Sequence, residues 1–279
     1  MQDPETQGRS LVFLKIGGSL ITDKQRPRAP RPEVLERLAG EIGRALKKHR
    51  EMRLVLGNGA GSFGHVTAKK YGTRQGVHTA QEWRGFAEIW REAAALNTMV
   101  TDALHATDLP AIALHPSAAV IAEDGKVLSW DLAPIHAALN AGLLPVIHGD
   151  VIFDTQRGGT ILSTEDLFDH LAIHLRPGKI LLAGLEQGVW ADYPSCTQLI
   201  PEITPVNIEG FLVALGGSNA TDVTGGMASK VLQSLELVQA SPDLQVLIFS
   251  DFTENPEPKS LPSTLTGLII SRFTWTGRR

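Results

Sequence analysis

Three stretches of this 279-residue chain set glycines beside cationic or imidazole side chains. The first is Lys15-Ile16-Gly17-Gly18-Ser19, with Lys24 a few residues on. The second is Gly57-Asn58-Gly59-Ala60-Gly61-Ser62-Phe63-Gly64-His65. The third ends in Thr224-Gly225-Gly226-Met227 and is followed by Lys230. Where side chains are absent, phosphate oxygens can reach backbone N–H groups, and a helix N-terminus adds a favourable field. Lysines then meet the remaining charge. His65, at the end of its loop, can donate to a phosphate oxygen. Each stretch alone has a plainer explanation: a turn with surface lysines, a structural histidine, a capped helix with an exposed lysine. Together they suit two phosphorylated ligands meeting head to head. The first loop is not a Walker A motif, because its lysine precedes the glycines. The second departs from the dinucleotide fingerprint in its glycine spacing.

These loops need strands and helices to aim them. Leu11–Ile16 and Arg53–Leu56 read as buried strands running into glycines. Pro32–Lys48 has apolar residues at helical spacing with proline in the first turn. Gln81–His105 reads as a long helix, Val66–Lys70 as a short one, and Asp131–Asn140 as a helix stopped by Gly142. Ala111–Leu114, Ala118–Ala122, Val127–Ser129 and Leu144–His148 read as strands, the middle two joined by a Glu123–Lys126 hairpin turn. Gln156–Gly159 reads as a turn, and Thr164 as the cap of a helix over Glu165–Leu175. Lys179–Ala183, Gln245–Phe249 and Leu265–Ile270 read as strands, and Met227–Ala240 as a helix. Strand–helix alternation predicts an α/β fold with helices on both faces of one mostly parallel sheet. No linker cuts the chain, so two lobes sharing one continuous sheet are expected, divided near 153–164.

Composition narrows the classes. The net charge is −4, without the basic excess of a nucleic-acid binder, and no nucleic-acid partner is expected. Apolar residues make up 43%, enough for a sizeable core. The apolar runs are strand-sized, and no membrane partner is expected. The one cysteine, Cys196, can form no intrachain disulfide and has no spaced partner for a zinc site. With a polar N-terminus, this suits a cytoplasmic protein.

The motifs resemble the amino acid kinase family, and in detail its isopentenyl phosphate kinase branch. The resemblance rests on Lys15-x-Gly17-Gly18-Ser19 with Lys24, Gly61-Ser62-Phe63-Gly64-His65, Pro145–Val151, Ile161-Leu162-Ser163 before Asp166, and Thr221–Met227 with Lys230. It implies a three-layer αβα sandwich forming a single domain over 1–279. Its N-terminal lobe, about 10–155, would bind the phosphate acceptor, and its C-terminal lobe, about 156–279, would bind ATP. It further implies that Lys15 and Lys230 hold the donor phosphates, with Lys24 assisting. Gly17, Gly18, Ser19 and Ala60 would line the ATP phosphates, and Gly184 and Gly225 the rest of the nucleotide. Gly59, Gly64, His65 and Gly149 would bind the acceptor, while Asp150 would orient the lysines by ion pairing. Mg²⁺ held by ATP and water, and a homodimer, are implied in the same way.

An acceptor phosphate is ionised near neutral pH and needs no general base, so the chemistry reduces to positioning and charge neutralisation. The histidine loop of the resemblance separates phosphate and phosphonate acceptors from carboxylates. Isopentenyl phosphate leads, with its tail expected along 71–96, where Val77, Trp83, Phe86, Ile89 and Trp90 lie. A fosfomycin-type phosphonate kinase, a carboxylate kinase and a non-catalytic anion store are the alternatives. Three departures from the family pattern stand out: Ala60 in a glycine triplet, Leu185-Glu186-Gln187 in the nucleotide segment, and Thr164-Glu165-Asp166 for a Gly-Asp-Asp sequence.

Overall fold

The computed structural model describes residues 10–210, 226–250 and 270–274. The strands in chain order are β1 (Leu11–Ile16), β2 (Arg53–Asn58), β3 (Ala111–Ala113), β4 (Val120–Glu123), β5 (Lys126–Trp130), β6 (Leu144–His148) and β7 (Asp150–Asp154). They continue with β8 (Gly158–Leu162), β9 (Lys179–Gly184), β10 (Val189–Trp190), β11 (Leu199–Ile200), β12 (Glu202–Ile203), β13 (Gln245–Ser250) and β14 (Ile270–Phe273). The α-helices are α1 (Gly18–Ile21), α2 (Pro32–Lys48), α3 (His65–Tyr71), α4 (Ala80–His105), α5 (Ala133–Asn140), α6 (Thr164–Leu175) and α7 (Gly226–Ala240).

An eight-stranded sheet in the order β12-β14-β13-β9-β1-β2-β6-β3 forms the middle layer, and only its β13–β14 pair is antiparallel. β1 lies at its centre, buried along its whole length. Successive side chains of a strand point to opposite faces. Accordingly Leu11 and Phe13 join the core beneath α6 and α7, while Val12, Leu14 and Ile16 join the core beneath α2 and α4. Lys15 has the parity of Leu11 and Phe13, which turns it toward α6.

The helices form for local reasons. Thr79 and Glu82 make a reciprocal capping box at the start of α4, worth about 1 kcal/mol. α2 begins on a proline and buries Val34, Leu35, Leu38 and Ile42 on one side. Ser163, rather than Thr164, caps α6, with Asp166 closing the box. The Thr164 hydroxyl instead donates to the Asn58 carbonyl at 2.7 Å, tying α6 to the end of β2.

The eight-stranded sheet is continuous and takes strands from both sides of 153–164, as expected. β5-β4-β7-β8 form a second, four-stranded sheet. The region 153–164, read as a divide, is mostly the β7–β8 hairpin and the start of α6. The expected strand over 118–122 begins two residues late because Pro116–Ala118 form a 3₁₀ turn. The β4–β5 turn is as expected, with Asp124 and Gly125 both at positive φ. The last strand starts at Ile270, and the rest of the run 265–269 lies outside the described residues. Among the described residues no helix is long and apolar enough to cross a membrane.

Candidate active site

β1, β2, β6 and β9 are parallel neighbours, so their C-terminal ends open on the same edge of the sheet. In open α/β sheets such an edge is where ligands bind. A cavity of about 390 Å³ lies there. It is lined by Lys15, Gly17, Gly18, Ser19 and Lys24 from the first loop, and by Gly59, Ala60, Gly64 and His65 from the second. Gly149, Gly184 and Lys230 complete the residues expected from the sequence. Gly225 lies outside the described residues.

The glycines also serve the packing of the loops. The two loops press backbone against backbone. A Cβ on Gly18 would fall 2.1 Å from the Gly61 nitrogen, and one on Gly61 would fall 2.1 Å from the Thr22 hydroxyl. Thr22 closes the joint: its Oγ1 donates to the Gly18 carbonyl at 2.7 Å and accepts from the Ser62 amide at 2.9 Å. Gly64, at φ +79°, then turns the chain into α3, so His65 becomes the first residue of that helix. Ala60 faces the same cavity without needing a positive φ, so its methyl replaces a glycine hydrogen at little conformational cost.

Lys15 is buried near the end of β1, and its Nζ donates to the Glu165 carboxylate in an ion pair. Burial pushes the Glu165 carboxyl up. The ammonium groups of Lys15 and Lys230 and the Lys15 hydrogen bond outweigh this and hold it below its ordinary value. One acid thus sits between two of the three lysines. The departure at Thr164-Glu165-Asp166 therefore carries an acid that meets these lysines.

The sequence reading placed an acid at Asp150 as well, and there the structure shows other partners. Asp150 is 1% exposed at the start of β7 and does not line the cavity. Its oxygens accept from the Ser117 amide at 3.0 Å and the Val151 amide at 2.9 Å. The His148 ring stands 4.0 Å away and contacts His115 Nδ1 at 3.0 Å. Burial lowers the His148 pKa, opposed by Asp150 and the Gly149 carbonyl. Asp150 fastens the turn at 116–118 to β7.

The cavity has two ends of different character. Beyond His65 its wall is apolar, made by Phe63, Ala68, Ile89, Ala93 and Ile161. Val77 and Phe86 pack behind this wall in a core with Ile89 and Val151, flanked by Trp83. Trp90 is 44% exposed and takes no part. Of the aromatic and aliphatic residues expected along the tail, Ile89 alone faces the cavity. At the other end lie Gly184, Leu185, Glu186, Trp190, Tyr193 and Met227. One further lining residue, Arg74, is not singled out by the sequence, because the glycines flanking it, Gly72 and Gly76, follow no strand and read as an ordinary turn.

Among the described residues, the carboxylates lining the cavity are Glu165 and Glu186. Glu165 is engaged by Lys15. This donor set suits a Mg²⁺ that arrives with a nucleotide and keeps phosphate and water ligands, rather than one held in a protein cage.

Comparison with known proteins agrees with this arrangement. The chain is 37% identical over 230 residues to the isopentenyl phosphate kinase of Methanocaldococcus jannaschii, covering 79% of this chain and 85% of that protein. It is 38% identical over 230 residues to the isopentenyl phosphate kinase of Haloferax volcanii, covering 82% and 88%. A crystal structure of an isopentenyl phosphate kinase superposes with a TM-score of 0.75 at 29% identity, over 95% of this chain and 100% of that one. Residues 10–250 match the model of the amino acid kinase family, and the chain belongs to that family.

Proposed function

We infer that this chain is a kinase that transfers the γ-phosphoryl group of ATP to isopentenyl phosphate, giving isopentenyl diphosphate for isoprenoid synthesis. The observation that carries the reading is one cavity lined by three lysines, His65 and an apolar wall. Relatives named isopentenyl phosphate kinase at 33–38% identity support it.

In this reading the lobe over about 10–155 binds the acceptor, and the lobe over about 156–279 binds ATP. His65, with Gly59, Gly64 and Gly149 lining the cavity beside it, receives the acceptor phosphate. Lys15, Lys230 and the Gly18 and Ser19 amides receive the donor phosphates, with Gly17 and Ala60 beside them and Lys24 closing over. Gly184 and Gly225 flank the nucleotide. An acceptor oxygen attacks the γ-phosphorus in line. The new P–O bond forms as the bond to ADP breaks, and no proton needs removing. Charge moves onto the transferring oxygens and the leaving ADP, where the lysines stabilise it. Mg²⁺, when bound with ATP, adds charge neutralisation. Glu165 orients Lys15 while leaving the site net positive.

A homodimer and a cytoplasmic setting are part of the proposal. The first is supported by family resemblance and the second by the single cysteine. Sedimentation of the purified chain tests the dimer.

Steady-state ADP release tests the function. With isopentenyl phosphate, fosfomycin and glutamate as acceptors, kcat/KM is expected to be highest by far for isopentenyl phosphate. His65→Ala should raise its KM at least 10-fold. Turnover with fosfomycin or glutamate alone would overturn the acceptor assignment while leaving the kinase fold intact.

A further inference from the structure

Arg74 lies in the loop between α3 and α4 and lines the same cavity as the three lysines and His65. Its backbone is fixed. The Arg74 carbonyl accepts from the Thr160 hydroxyl at 3.0 Å and from Arg157 Nη1 at 3.2 Å, which pins it to β8. The side chain therefore starts from a rigid point between α3, which carries His65, and β8, which carries Ile161 of the apolar wall.

The guanidinium itself is under-used. Nη2 donates to Asp166 Oδ2 at 3.1 Å. Nη1 is buried and has no hydrogen-bond partner. Asp166 also accepts from the Ser163 amide at 2.7 Å and from Gln233 Nε2 at 3.3 Å, so it is shared among three donors and leaves Nη1 unmet. A buried donor without a partner is disfavoured, and an arginine fork is shaped to meet paired phosphate oxygens. Charge points the same way. Lys15 is offset by Glu165, yet two phosphorylated ligands must be held together.

We propose that Arg74 is a fourth phosphate-binding cation, serving the acceptor end: it turns about its Asp166 tether to bond the acceptor phosphate and the diphosphate formed from it. This rests on the kinase reading above, which supplies a phosphorylated acceptor.

Calorimetric titration of the full chain with isopentenyl phosphate, and separately with an ATP analogue, tests it on Arg74→Met and Arg74→Lys. Arg74→Met is expected to weaken isopentenyl phosphate about 10- to 100-fold, to leave the ATP analogue within about 2-fold, and to flatten the salt dependence of acceptor binding. Arg74→Lys, which keeps the charge but not the fork, should recover part of the loss. Unchanged acceptor affinity in Arg74→Met would overturn the proposal. So would equal losses of acceptor and nucleotide accompanied by a lower Tm in both variants, which would make Arg74 a structural strap. Inorganic phosphate serves as a second probe. If the parent chain fails to bind isopentenyl phosphate, the acceptor assignment has failed. Arg74 is then judged on whether Arg74→Met weakens phosphate binding about 10-fold or leaves it unaltered.

Discussion

At the scale of single residues, the account turns on which acid faces the lysines. Glu165→Gln keeps the size of the side chain but removes the charge that holds Lys15. A fall in kcat of about 10- to 100-fold is expected, with little change in Tm. Asp150→Asn should do the opposite. The amide places an N–H where an oxygen now accepts from a backbone N–H, costing about 1–3 kcal/mol of stability. Its kcat/KM should stay near that of the parent. Thermal melts and steady-state rates on the two variants separate the roles; a collapse of kcat in Asp150→Asn at unchanged Tm would restore Asp150 as the organiser. The sequence displayed both acids but could not say which one pairs. Lys15 and Glu165 are 150 positions apart, and only the parity of β1 and the register of α6 bring them together. The lysines and His65 were legible because each stands inside a local glycine pattern. Arg74 was not, since its neighbours in the cavity come from distant segments.

At the scale of elements, short-range signals read well and long-range pairing did not. β1, β2, β6 and β9, the α2 stripe and the β4–β5 turn follow from alternation, helical spacing and turn chemistry. β7 and β8 were hidden because they flank a turn signal and pair mainly with each other and with β4. The contact between the two glycine loops was also hidden, since glycines that admit phosphate and glycines that admit another backbone look alike in sequence. Gly18→Ala tests the contact. With a Cβ 2.1 Å from the Gly61 nitrogen, destabilisation of about 2–3 kcal/mol or more is expected in denaturant unfolding. α6 makes a further prediction. Burial, helped by Asp166, Glu165 and Glu236 and opposed by the Gln233 hydrogen bond, pushes the Asp169 carboxyl up to about 8. The folded chain therefore holds a proton there that the unfolded chain releases near pH 4. Stability from this group is full below that value and is lost as pH rises through about 8. Asp169→Asn should flatten the decline of Tm between pH 6 and 8.5; an unchanged slope would mean that Asp169 ionises normally.

At the scale of the whole molecule, the α/β class and the mostly parallel middle sheet were legible from strand–helix alternation. The second sheet was not. It matters because β8 and α4 between them carry Ile161, Ile89 and Ala93, the wall against which an acceptor tail would rest. The cavity thus spans both parts of the fold: cations at the C-terminal edge of the large sheet, and apolar surface beside the small one. The central claim is that these two halves join a phosphorylated isoprenoid to ATP. Phosphorus NMR of the chain with Mg²⁺, ATP and isopentenyl phosphate tests it most directly. The account predicts that the single acceptor resonance gives way to the coupled pair of a diphosphate as ADP accumulates in equal amount, and that Lys15→Ala slows this by about 100-fold or more. ADP forming with the acceptor resonance unchanged, or no reaction while ATP binds, would contradict it.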